Sequence, residues 1–214
     1  MHDAHLLHDF LRASIVAGLL LSSSFVAADD GHDRAKDFYE KIDEAENELE
    51  ETRKRFQKAS ARYERMLSAK SNQRKDRYED FVDQTKECED KREKLDERLE
   101  EMDKQAKKFF DAWRKSSKKI GDNGLRSRSH ERLEASRVRY ERLSDSYRGV
   151  MEHYTPLTKA MRDQIVYLSH ELNAESTASL SEDAAKIQAR VEGFLHLVDE
   201  SRHLASDYMA SVKP

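Results

Sequence analysis

From Phe38 onward the hydrophobic positions recur in alternating steps of four and three. The first run is Phe38, Ile42, Ala45, Leu49, Thr52, Phe56, Ala59, Tyr63 and Met66. A second follows through Tyr78, Phe81, Thr85, Cys88, Arg92, Leu95, Leu99, Met102, Ala106, Phe109 and Trp113. The third takes Leu133, Ser136, Tyr140, Leu143, Tyr147, Val150, Tyr154, Leu157 and Met161, then drifts onto Ile165, Leu168 and Leu172. The fourth is Leu180, Ala184, Ile187, Val191, Phe194, Val198, Ser201, Ala205, Tyr208 and Val212. An apolar repeat of 3.5 residues held this long marks helices packing side by side with a left-handed supercoil. The pattern predicts an all-α fold, an elongated antiparallel coiled-coil-like bundle of about four long helices.

The interruptions fall where such helices should end. Residues 68–75 are polar and off-pattern, and Gly121-Asp-Asn-Gly124 supplies glycines suited to a helix C-cap and a turn. The third and fourth tracts meet around Asn173 to Ser181, with Ser179 or Ser181 as N-cap. At ~1.5 Å per residue the first two helices run roughly 55–65 Å, so connections this short force neighbouring helices to fold back. Phe56 and Tyr63 should then lie near Phe81–Cys88, with Phe38 and Ile42 near Phe109 and Trp113. Pro156 should kink the third helix near Glu152. Arg92 is out of place on a seam, where a charge needs a partner or a route to water. Along the surfaces, Glu50–Lys54, Glu51–Arg55, Glu87–Lys91, Asp90–Lys94 and Glu100–Lys104 have the acid-first spacing that stabilises a helix. The expected organisation is a hairpin over 29–120 and a second over 121–214, packed as one elongated domain.

Composition removes the alternatives. Of 214 residues, 38% are charged and 37% hydrophobic, with only Gly 6 and Pro 2, too few turn residues for a sheet protein. Mean hydropathy is −0.96, yet Lys+Arg 39 against Asp+Glu 43 leaves a net charge of only −4, and Tyr 8 with Phe 8 is rich for a disordered chain. That balance suggests neither a nucleic-acid surface nor an anionic-membrane surface.

The first residues differ in kind. Ala13 to Ala28 reads ASIVAGLLLSSSFVAA without a charge, Arg12 precedes it, and Val26-Ala27-Ala28 offers small residues before the charged chain begins at Asp29. This is the layout of a secretory signal over residues 1–28; an uncleaved N-terminal anchor is the rival reading. The expected location is therefore exported and periplasmic, with membrane contact through the N-terminus alone. The single Cys88 permits no intramolecular disulfide.

No constellation for catalysis stands out, so no catalytic residue, cofactor or metal is assigned. Glu200 and His203 form one Glu-x-x-His pair, where a di-iron bundle needs two, and the seam through Val198, Ser201 and Ala205 turns them outward. Cys88 falls on a seam as a small buried hydrophobe. Phe109, Phe110 and Trp113 have the spacing of core residues. Neither a phosphate-binding glycine loop nor a nucleophile elbow occurs in the sequence.

The segment from Phe109 to Leu180, with FFDAWRKSSKKI, LRSRSHERLEASRVRYERL and MRDQIVYLSHELNAESTASL, resembles the bacterial family catalogued as domain of unknown function 2959. The resemblance implies an exported, all-helical protein, commonly with a lipoprotein signal; this chain lacks a cysteine near the cleavage region. It implies no activity. Within the matching segment Arg162, Asp163, Gln164, His170 and Asn173 are the polar residues to test for a partner contact; their other use is in interhelical hydrogen bonds and a helix terminus at Asn173. The expectation is a non-enzymatic helical scaffold or adaptor of the cell envelope that meets a protein partner, or itself, through helical faces.

Overall fold

The computed structural model describes residues 22–212, so the expected leader lies largely outside the described residues. Six helices follow one another: α1 (Ser22–Leu67), α2 (Arg74–Asp90), α3 (Arg92–Ser117), α4 (Asn123–His170), α5 (Ala174–Ser179) and α6 (Ser181–Val212). No strand occurs among the described residues. α2 and α3 are two halves of one arm. α1 lies between that arm and α6, and α4 closes the ring against the arm and α6. The chain thus runs up, down, up and down through a four-armed antiparallel bundle.

The seams are the core. All nine first-tract positions from Phe38 to Met66 are fully buried, and the other tracts are buried along nearly their whole length. Aromatic rings fill the bundle in layers. At one end Phe38 stacks on Phe109 at 5.2 Å and meets Tyr140 and Tyr208 edge-on. In the middle Phe56 packs on Tyr154 at 4.9 Å and Phe194 at 4.5 Å. Nearer the first turn Tyr63 stacks on Phe81 at 4.8 Å. The Phe38–Phe109 and Tyr63–Phe81 contacts are the antiparallel neighbours that the tract spacing predicts.

The register between α1 and the α2–α3 arm is written in charge. Beside the α1 seam stand Lys41, Glu48, Arg55 and Arg62, each seven residues from the next. Their partners descend the other arm at the same interval: Lys41–Glu101 at 3.8 Å, Glu48–Lys94 at 2.5 Å, Arg55–Glu87 at 3.8 Å and Arg62–Asp80 at 2.6 Å. A slip of one heptad in one direction sets Lys41 against Lys94 and Glu48 against Glu87. In the other direction it sets Glu48 against Glu101 and Arg55 against Lys94. Only the observed register joins opposite signs at every rung, the use coiled coils make of positions flanking the seam. On the opposite flank α1 meets α6 through Arg53–Asp199 at 2.8 Å and Glu50–Arg202 at 2.7 Å.

These cross-helix partners displace most of the expected pairs within helices. Glu50–Lys54 forms, at 3.7 Å. Arg55 instead turns inward to Glu48, Lys94 crosses to the same carboxylate, and Glu51 is taken by Lys54 at 2.9 Å. The buried Glu48 carboxylate outcompetes an exposed neighbour, because less of the attraction is lost to solvent.

The helix ends also differ from expectation. α3 closes at Lys118 in the right-handed region, and neither Gly121 nor Gly124 takes a positive φ. Asp122 caps α4 by accepting from the Leu125 amide at 2.7 Å, which places Gly124 inside the helix. Between the third and fourth tracts lies the extra turn α5, capped by Asn173, and Leu180 rather than a serine joins it to α6. Pro156 lies inside α4, which is helical from Asn123 to His170. The break falls in the second tract, at Lys91 between α2 and α3.

Truncating Phe56 to alanine removes the ring shared by α1, α4 and α6. Chemical denaturation should show a loss of about 3–5 kcal/mol, and a smaller loss at Trp113, which is only half-buried. Equal losses at the two positions would contradict the layered core.

Candidate functional site

The most unusual chemistry lies where the second arm breaks. The Tyr154 hydroxyl, reaching from α4, donates to the Cys88 carbonyl at 2.5 Å. A backbone carbonyl drawn to a side chain from a neighbouring helix tilts out of its own ladder, one of the recognised causes of a helix break. Arg92, the charge on the seam, follows directly after the break and is half-buried. On the facing arm Pro156 removes the amide that the Glu152 carbonyl would otherwise accept from. The two irregularities therefore lie close together across the bundle.

Beside the break sits a buried ion cluster. Glu48 is only 4% exposed and is held by Arg55 Nη1 at 3.0 Å on one carboxylate oxygen and by Lys94 Nζ on the other. Arg55 is 8% exposed and reaches on toward Glu87. A buried charge of this kind tolerates its position only while every partner is present. Burial pushes the Tyr154 hydroxyl well above the ordinary tyrosine value, so it remains a donor across the physiological range. Burial likewise pushes the Cys88 thiol up to about 12, with Glu87 adding to the effect. A nucleophilic cysteine needs the opposite environment.

A second polar centre joins α3 to α4. Asp103 accepts from the Tyr140 hydroxyl at 2.5 Å and from the Ser144 hydroxyl at 2.9 Å. Desolvation raises the Tyr140 hydroxyl, and the neighbouring carboxylate adds to it. Ser136 and the Tyr208 hydroxyl lie 3.0 Å apart in the same end layer.

The five polar residues singled out in the sequence are placed individually rather than as one cluster. Arg162 pairs with Glu89 across to α2. Gln164 accepts from the Tyr63 hydroxyl at 3.0 Å, Asn173 caps α5 through the Ser176 amide at 2.8 Å, and Asp163 and His170 are exposed. Arg162, Gln164 and Asn173 thus carry interhelical contacts and a helix terminus. Glu200 and His203 are exposed, within 3.6 Å of His196 and Asp207 respectively, and no group of three metal-ligating side chains gathers among the described residues. Sequence reading passed over Glu48 and gave Arg55 and Lys94 to surface pairs within their own helices, with Glu51 and Asp90. The signal was present in the seven-residue spacing of alternating signs beside two seams.

Two outcomes follow from the buried cluster. Glu48→Ala should cost about 3–5 kcal/mol by stranding Arg55, whereas Glu48→Leu with Arg55→Met should be near neutral or stabilising. Urea titration of the three chains distinguishes the cases; an equal loss in the double variant would mean that the pair itself holds the fold. Cys88 should react with a thiol reagent on the order of 1,000-fold more slowly in the native chain than in denaturant, as its raised pKa and burial require. Rapid native labelling would contradict its buried position.

Neither a curated protein nor a solved structure matches the chain. A family model does match, over residues 28–212, which is nearly all of the described bundle. On that match the chain belongs to the family described as Protein of unknown function (DUF2959).

Proposed function

We propose that this chain is a non-enzymatic scaffold or adaptor of the bacterial cell envelope, which presents long helical faces to a protein partner or to a second copy of itself. The observation that carries the reading is the use made of its distinctive side chains. Glu48, Arg55, Asp103, Tyr154 and Gln164 each close a contact between helices, and the Cys88 thiol is buried in the core and held in its unreactive form. The chemistry that an enzyme turns toward substrate is here turned toward the neighbouring helix. The reading includes no cofactor and no nucleic acid.

Export is supported by the uncharged run from Ala13 to Ala28 and by the start of the family match at residue 28, next to the charge boundary at Asp29. In the second reading the N-terminal segment is retained as an anchor. α1 favours it, because this helix runs from Ser22 across Ala28 and Asp29 without a break. No helix among the described residues is long and apolar enough to cross a membrane.

Intact-mass measurement on protein recovered from the envelope fraction of expressing cells separates the two. Export with cleavage gives a chain beginning at Asp29. A mass that retains residues 1–28 supports the anchored reading, and recovery from the cytoplasm alone overturns both.

A further inference from the structure

The two ends of the bundle differ in charge and chemistry. One end holds the turn between α3 and α4 together with the start of α1, whose residues 29–37 carry two basic and four acidic side chains. Residues 114–132 hold seven basic side chains against two acidic ones, net +5, in a chain whose total is −4. The opposite end, residues 68–80 with 170–186, holds five basic against seven acidic. Both acids of the basic tip are engaged: Asp122 caps α4, and Glu131 accepts from the Ser127 hydroxyl at 3.0 Å. Lys115, Lys118, Lys119, Arg128 and Arg132 are exposed and make no ion pair with a described residue.

The tip is rigid. Arg126 donates to the Ile120 carbonyl at 2.9 Å and to the Gly121 carbonyl at 3.2 Å, which closes the turn on itself. Ser129 ties α4 back to α3 through Trp113 Nε1 at 3.1 Å and Ser117 at 2.7 Å. Between the last turns of α3 and the first of α4 lies a cavity of about 450 Å³, with Leu133 and Ser117 at its wall and Arg114, Lys118, Arg126 and His130 around it. Leu125, 52% exposed, stands on the same tip. Apolar surface ringed by cations matches a layer of anionic headgroups over acyl chains.

The first described turns of α1 lie at this end as well. Gly31 of α1 is beside Trp113 and Ser116 of α3, and α1 continues from there back to Ser22, toward the uncharged run that begins at Ala13.

We propose that the α3–α4 tip is a docking surface for an anionic phospholipid bilayer, on which the bundle stands end-on. The apolar N-terminal run and the basic tip then meet the same surface, and two weak membrane contacts act as one stronger attachment. This inference is independent of export, since it concerns the surface met and not the side of the membrane.

The test uses the full chain and sedimentation with vesicles of phosphatidylcholine, with or without phosphatidylglycerol. The tip variant carries K115Q, K118Q, K119Q, R128Q and R132Q, and leaves Arg126 in place because it closes the turn. A control with the same charge carries K58Q, K70Q, K75Q, K104Q and K159Q. Thermal melts by circular dichroism establish that both variants fold, and K118Q with K119Q alone serves should the larger variant not fold. Each cation near an anionic surface contributes about 1 kcal/mol. The tip variant should therefore partition on the order of 1,000-fold less onto phosphatidylglycerol vesicles than wild type and control, and the two-residue variant about 30-fold less. Equal partitioning of tip variant and control would overturn the proposal and leave the N-terminal run as the whole attachment. So would binding indifferent to phosphatidylglycerol, full displacement by free glycerol phosphate, or tip-dependent binding to duplex DNA tighter than to vesicles.

Discussion

The constraint on which the bundle depends is the register between α1 and the arm that folds back on it. Apolar seams alone do not fix that register, because a strict heptad repeat packs nearly as well after a slip of seven residues. Here the flanking charges discriminate. Lys41, Glu48, Arg55 and Arg62 meet Glu101, Lys94, Glu87 and Asp80, and either one-heptad slip makes two of its three remaining rungs repulsive. Exposed rungs contribute little stability each, so their main effect is on choice among alignments. Once the first hairpin is aligned, the aromatic layers follow: Phe38 meets Phe109, and Tyr63 meets Phe81. α4 and α6 then pack against surfaces already in place.

The same alignment explains why one rung is buried and why the arm breaks near it. Glu48 is enclosed by Arg55 and Lys94 at mid-bundle, and a little further along the arm the Cys88 carbonyl accepts from Tyr154. Polar groups at this depth cost free energy unless each finds a partner. The break supplies one, since a carbonyl tilted out of its ladder is a free acceptor for the tyrosine hydroxyl. α4 in turn accommodates Pro156 as a continuous helix, with the Thr158 hydroxyl donating to the Tyr154 and Thr155 carbonyls. Helical irregularity in one arm is thus matched by polar satisfaction from another.

Much of this was legible in the sequence, for a physical reason. Burial in a heptad seam is set by neighbours three and four residues away, so Phe38 to Met66 could be assigned as core from spacing alone. The break at Lys91 could not, because it depends on a hydroxyl 66 residues further along the chain. Helix ends were misjudged where the Asp122 cap overrode the glycines nearby, and where the extra turn α5 put Leu180 rather than a serine before α6. The inward turn of Arg55 was hidden for a related reason. Its spacing from Glu51 is ideal for an exposed pair, and only the arrival of Lys94 and Glu87 from another helix makes Glu48 the better partner. Of the five polar residues in the family-like segment, Arg162 and Gln164 are explained by partners on α2 and α1, neither visible from local spacing.

An antiparallel bundle that spends its seam-flanking charges on internal register has two kinds of surface left. Its long outward faces carry charges of both signs in close alternation, which gives little directional field. Its ends are different, because there the helices stop and a turn exposes several consecutive residues together. At such an end a charge excess no longer cancels against a neighbouring helix. The turn between α3 and α4 gathers Lys115, Lys118, Lys119, Arg128 and Arg132 with no ion pair to a described residue, while the turn between α1 and α2 keeps Arg77 paired with Asp80 and Lys75 with Glu79. Because the whole chain sums to −4 and this turn to +5, the rest of the molecule carries −9, and it is this asymmetry that would turn the tip toward an anionic surface.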